Sequence, residues 1–173
     1  MADSIEFDPV DWITAGSVGP PGQRTFYIQA RRGDELMALV VEKSQVILLV
    51  QVAQELLARA GVAVTPDDLE ESSQRLVEPV APSWRAGSMS LGMDDDGERF
   101  VLEAEELIAD DETDAPAEAR FWMSRQQVVA LAAHGAFAVE HGARETCHLC
   151  SRPIDPEAGH VCPALNGHGP LTV

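Results

Sequence analysis

The chain has 173 residues, 45% of them apolar, which suits one ordinary domain with a small appendage and a real core. Twenty-nine acidic residues against 12 basic ones give a net charge of −17, and no basic cluster exceeds Arg31 and Arg32. That balance excludes DNA and RNA as expected ligands, because such binding rests on neutralising phosphates. The N-terminal MADSIEFDPV lacks the basic start and apolar stretch of a signal peptide, and the longest wholly aliphatic run is VILLV at 46–50. No membrane association and a cytoplasmic location are therefore expected.

In chain order, DWITAGSVGPPGQRTFYIQA (11–30) predicts strands near 10–19 and 24–31, with Phe26, Ile28 and Ala30 on one face. The glycines of GSVGPPG resemble a phosphate loop, but the Lys-Ser/Thr ending is missing and two prolines remove amide donors, so a hairpin loop is expected. ELMALVV follows as a strand near 35–42, apolar on both faces and hence central. Ser44 then opens a helix, QVILLVQVAQELLARAG, whose stripe of Val46, Leu49, Val50, Ala53, Leu56, Leu57 and Ala60 is widened by Ile47, Leu48 and Val52. Such a helix is expected to be deeply buried, and Gly61 stops it. Residues 62–82, with Pro66, Pro79 and Pro82, read as a linker holding a short helix near 66–73.

The second half repeats the plan: strands near 84–93, 98–107 and 119–123, then Ser124 opening the helix RQQVVALAAHGAFAVEHG, which stops at Gly142. Trp12 answers Trp84, Phe26 answers Phe100 and Ala30 answers Ala104. The expected architecture is α+β, two tandem strand-strand-strand-helix repeats (1–61 and 83–142, together one globular domain) related by an approximate two-fold. Small residues in the second helix, Ala130, Ala132, Ala133, Gly135 and Ala136, admit another backbone at close range. DDDG at 94–97 reads as a hairpin turn, since a calcium loop needs acids at alternate positions. The stretch 94–118 holds twelve carboxylates and one base, Arg99. It reads as a solvated acidic loop and strand face, with a docking surface for a basic partner as the sharper alternative. Residues 108–118 form a polar insertion.

The tail, 143–173, carries all three cysteines. In CHLCSRPIDPEAGHVC, Cys147 and Cys150 form a C-x2-C knuckle that turns two thiolates toward one ion. His160 and Cys162, two apart in an extended segment, project to the same side. The pattern C-x2-C-x9-H-x-C predicts a structural zinc site at Cys147, Cys150, His160 and Cys162, with His168 in place of His160 as the other arrangement and His148 at the surface. A redox pair should open a helix, which Pro153 interrupts. A zinc deaminase needs H-x-E, whereas His134 and His141 are each followed by Gly-Ala.

The doubled "W…G…G…RTFYIQA" and "W…G…ERFVLEA" plan together with "CHLCSRPIDP…GHVCPALNG" resembles the DUF3090 family of bacterial repeat proteins of unassigned function. That resemblance covers nearly the whole chain and implies a soluble bacterial protein with the same four-residue Cys/His motif, but no activity. Two functions follow as expectations. One is a non-enzymatic adaptor or regulatory protein whose zinc tail and acidic face contact another protein. The other is an enzyme or small-ligand binder with a pocket between the repeats, lined by Arg24, Arg99 and the tryptophans.

Overall fold

A computed structural model describes residues 4–62, 75–109, 114–141, 147, 149–150, 154 and 160–163. Among these, seven strands and two helices form a mixed α+β fold. They are β1 (Ser4–Phe7), β2 (Trp12–Val18), β3 (Thr25–Arg32), β4 (Glu35–Val41), α1 (Lys43–Arg59), β5 (Trp84–Met93), β6 (Arg99–Glu106), β7 (Glu118–Ser124) and α2 (Arg125–His141). The expected short helix near 66–73, residues 110–113 of the polar insertion and Gly142 lie outside the described residues.

All seven strands share one sheet in the order β1-β7-β6-β5-β4-β3-β2. β2-β3-β4 and β5-β6-β7 are antiparallel meanders, and β4 pairs with β5 in parallel, as β1 does with β7. β1 and β2 stand at opposite ends of this order, yet only residues 8–11 separate them. The Val10 N–H donates to the Trp122 carbonyl of β7 at 2.9 Å, and the next residue, Asp11, donates to the Arg31 carbonyl of β3 at 2.8 Å. Consecutive Cα atoms lie about 3.8 Å apart, so the sheet rolls until its two edges meet. The sequence reading omitted β1 and the closure with it.

Alternation places the core. Phe26, Ile28 and Ala30 stand opposite Val41, Leu39 and Met37 across β3 and β4. Phe100, Leu102 and Ala104 stand opposite Met123, Phe121 and Ala119 across β6 and β7, and all of these side chains are buried. Ile13 faces Ala30 and Met89 faces Ala104. Aligned by these registers, Trp12, opposite Arg31, corresponds to Ser88, opposite Glu105. Trp84, beside Leu39, corresponds to Phe7, beside Phe121. The expected match of Trp12 with Trp84 is therefore corrected. Both tryptophans are only half-buried, and register is fixed by the buried positions.

α1 begins at Lys43, one residue before the expected Ser44, because Glu42 caps it: the Gln45 side chain accepts the Glu42 N–H at 2.7 Å. Ser124 caps α2 as expected, exchanging hydrogen bonds with Gln127. Each N3 glutamine also reaches across the barrel. Gln45 Nε2 donates to the Ala86 and Gly87 carbonyls near the start of β5, and Gln127 Nε2 to those of Val10 and Asp11 just before β2. At its end α1 turns through Gly61 at φ 74°, where the Gly61 and Val62 N–H groups close on Ala58 and Leu57.

α1 is less buried than its composition implies. Val46, Leu49, Val50, Ala53 and Leu57 face the core, whereas Ile47 and Leu48 are exposed. α1 and α2 pack on each other, α1 against β5 and α2 against β2. The small-residue face of α2 permits this: a Cβ on Gly135 would lie 2.8 Å from Val50 Cγ2, 3.3 Å from Val46 Cγ1 and 3.7 Å from the Ala15 Cβ. The described end of the expected linker is docked. Leu76 sits over Gly16, and the buried Gln29 holds Val77 by both backbone groups, accepting its N–H at 2.7 Å and donating to its carbonyl at 3.3 Å.

Candidate metal centre

β5 and β6 are joined by an acidic hairpin, as expected for DDDG. Asp94 accepts the Glu98 and Arg99 N–H groups at 2.9 and 3.0 Å, and these amides, Arg99 first, hold its carboxyl below its ordinary range. Both bonds go to one oxygen, Asp94 Oδ1, and serve the turn. The other residues singled out for chemistry also have partners in the fold, although the buried Arg24 Nε has none. Arg24 Nη1 donates to Ser17 Oγ at 3.4 Å. Arg99 stacks over the Trp122 ring, 4.5 Å from its centroid, and pairs with Asp8. His134 Nδ1 lies 2.9 Å from the buried Thr14 Oγ1, and His141 stacks on Phe137 at 3.8 Å. A cavity of ≈ 460 Å³ opens on the face of β5, β6 and β7, lined by Ser88, Ser90, Glu103, Glu105, Glu118 and Arg120 among others. Neither Arg24, Arg99 nor a tryptophan lines it, so it is not the pocket expected between the halves.

The tail residues do converge. One ligand atom from each of Cys147, Cys150, His160 and Cys162 lies within 4.8 Å of all the others. Cys147 and Cys162 are buried with their sulfurs 3.7 Å apart. Cys150 and His160 are half-buried, with Sγ 3.0 Å from Nε2. Thiolate sulfurs about 2.3 Å from a shared tetrahedral ion stand about 3.8 Å from each other, which is the separation of the Cys147–Cys162 pair. The set is close enough to hold a metal ion.

Local chain geometry explains the arrangement. In the C-x2-C turn the backbone N–H groups of Leu149 and Cys150 point back at Cys147, and with the neighbouring thiols of Cys162 and Cys150 they draw its thiol down to about 6. A thiolate is the ligand form of cysteine, so the turn prepares one donor before any ion arrives. On the other limb, His160 and Cys162 project together while Val161 between them is 61% exposed. Leu149, between the first two cysteines, is likewise exposed. None of the three cysteines is in a disulfide. His148 and His168 lie outside the described residues.

With this geometry in hand, family membership is unambiguous: the chain belongs to the DUF3090 family, described as a protein of unknown function, whose model matches residues 5–162 and so spans β2 to α2 and all four clustered ligands. No curated protein and no solved structure matches the chain. Among the described residues no helix is long and apolar enough to cross a membrane.

Proposed function

We propose that this is a non-enzymatic, zinc-stabilised cytoplasmic adaptor or regulatory protein that binds another protein. The observation that carries the reading is the closed set of four donors within 4.8 Å. Three sulfurs and one imidazole suit zinc by softness and by tetrahedral spacing. With four side chains on the ion, no position remains for water or substrate, so the ion's contribution is to structure. Cys147, Cys150 and Cys162 supply charge and His160 completes the set. Leu149 and Val161 then stand outward on the two limbs of the knuckle, 51% and 61% exposed. Apolar side chains held rigidly at the surface are the kind that anchor protein interfaces, and the charge of −17 disfavours a nucleic acid as the partner.

The body of the protein is, in this reading, a duplicated strand-strand-strand-helix unit. Matched registers of β3-β4 and β6-β7 and the reciprocal reach of Gln45 and Gln127 support it. A two-fold along the barrel would exchange the two parallel junctions, β4-β5 and β7-β1.

Two measurements test the proposal. Protein purified without added metal should carry one zinc per chain by elemental analysis. The partner captured from native cytoplasm should be lost when Leu149→Glu and Val161→Glu are combined, with zinc retained; capture that is unaffected by this pair would refute the adaptor role.

A further inference from the structure

We infer that the metal centre is a redox switch in which a hydroperoxide oxidises Cys147 and Cys162 to a disulfide and thereby releases the ion. This rests on the zinc reading above and concerns the regulation of the same site. Its starting point is the packing of the thiols: Cys147 adjoins both Cys162 and Cys150, but of the three only Cys147 and Cys162 are buried. Cys147 and Cys162 are buried and in sulfur-to-sulfur contact at 3.7 Å, whereas Cys150 faces the His160 ring nitrogen at 3.0 Å. Two thiols in contact need only a short closing movement to bond, and the pair comes from the two limbs of the knuckle.

The chemistry balances with the oxidant alone. One thiolate attacks a peroxide oxygen, the O–O bond breaks, and a sulfenic acid forms as hydroxide or alkoxide leaves. The second thiolate attacks that sulfur, the S–O bond breaks, and the disulfide forms with loss of hydroxide. The peroxide gains the two electrons that the thiolates lose. Because the chain has three cysteines in all, this leaves Cys150 and His160 as the remaining donors, two where a structural zinc takes four. The ion therefore leaves, while the new bond between the limbs ties Cys147 to Cys162 in its place. Reduction by a thiol would restore both donors.

The test uses the full chain. Elemental analysis of the reduced protein comes first, and finding no zinc there would overturn the zinc reading itself. With zinc present, stoichiometric hydrogen peroxide should release one zinc per chain to a chromogenic chelator, in step with the loss of two of three titratable thiols. Peptide mapping after alkylation should show a Cys147–Cys162 link, and dithiothreitol with added zinc should reverse both changes. Cys150→Ser should still form that link. A Cys147–Cys150 link, sulfinic acids without a disulfide, or zinc that stays bound as thiols are consumed would each overturn the switch.

Discussion

Gly135→Ala tests the joint between the two helices. The added methyl would meet Val50 Cγ2 at 2.8 Å, well inside ordinary contact, and Val46 Cγ1 at 3.3 Å. Both valines are in α1 and buried, where a β-branched side chain keeps one strongly preferred rotamer and has little room to turn away. Ala15 closes the third side at 3.7 Å. Two effects oppose. Replacing glycine by alanine inside a helix favours folding by about 1 kcal/mol, while forcing a methyl into a packed interior costs about 1–3 kcal/mol. With two rigid neighbours on one helix the cost should fall in the upper part of that range, about 2–3 kcal/mol, leaving a net loss of about 1–2 kcal/mol. Urea unfolding followed by circular dichroism should show the midpoint fall with an unchanged slope. In a double-mutant cycle Val50→Ala should recover part of that loss, since it removes the methyl group at 2.8 Å. A Gly135→Ala protein as stable as the parent, or more so, would refute the reasoning, as would strict additivity with Val50→Ala.

Four further outcomes are expected. Cys147→Ser with Cys150→Ser should abolish zinc in elemental analysis with little change in the unfolding of the strands and helices. The same measurement on His160→Ala and His168→Ala separately should show loss only in the former. The Cys147 thiol is drawn down to about 6, so its ionised form favours the folded knuckle above the ordinary thiol range, and that contribution disappears as the pH falls through about 6. Because protons compete with zinc for the thiolates, zinc retained on dialysis should be higher at about pH 8 than at about pH 5. Gln29→Leu removes the acceptor for the Val77 N–H and the donor to its carbonyl, and should cost about 2–3 kcal/mol in urea unfolding, with faster proteolysis of the segment around Val77.

The strands that the sequence displayed clearly are those whose side chains alternate between core and solvent. β6 runs Phe100, Leu102, Ala104 inward, with Arg99 and Glu105 outward, and its extent was legible to within a residue at each end. β1 was not, because Ser4–Phe7 offers only Ile5 and Phe7 and is a strand by virtue of β7 beside it. Its parallel partner comes from the far end of the chain, and no local pattern announces such a pairing. The tryptophans misled for a related reason. Trp12 and Trp84 are conspicuous as letters but half-exposed in place, so they are free to differ between halves, while the less conspicuous Ile13 and Met89 share a register against alanines.

α1 makes the same point from the opposite side. Ten apolar residues in succession around its axis suggest burial on every face, yet periodicity reports only which residues could be inside. Ile47 and Leu48 are outside because α2 and β5 already fill the face that Val46, Leu49, Val50 and Ala53 present. The metal centre was legible because its geometry is written into one short stretch: a two-residue spacer turns Cys150 back toward Cys147, and a one-residue spacer aims His160 and Cys162 the same way. Donor chemistry so local needs no knowledge of the barrel. What spacing could not supply were the contacts across the two limbs, Cys147 with Cys162 and Cys150 with His160, since those depend on how the limbs are folded onto each other. In the proposed switch, the buried contact between Cys147 and Cys162 selects them, rather than Cys150, as the thiols that an oxidant joins.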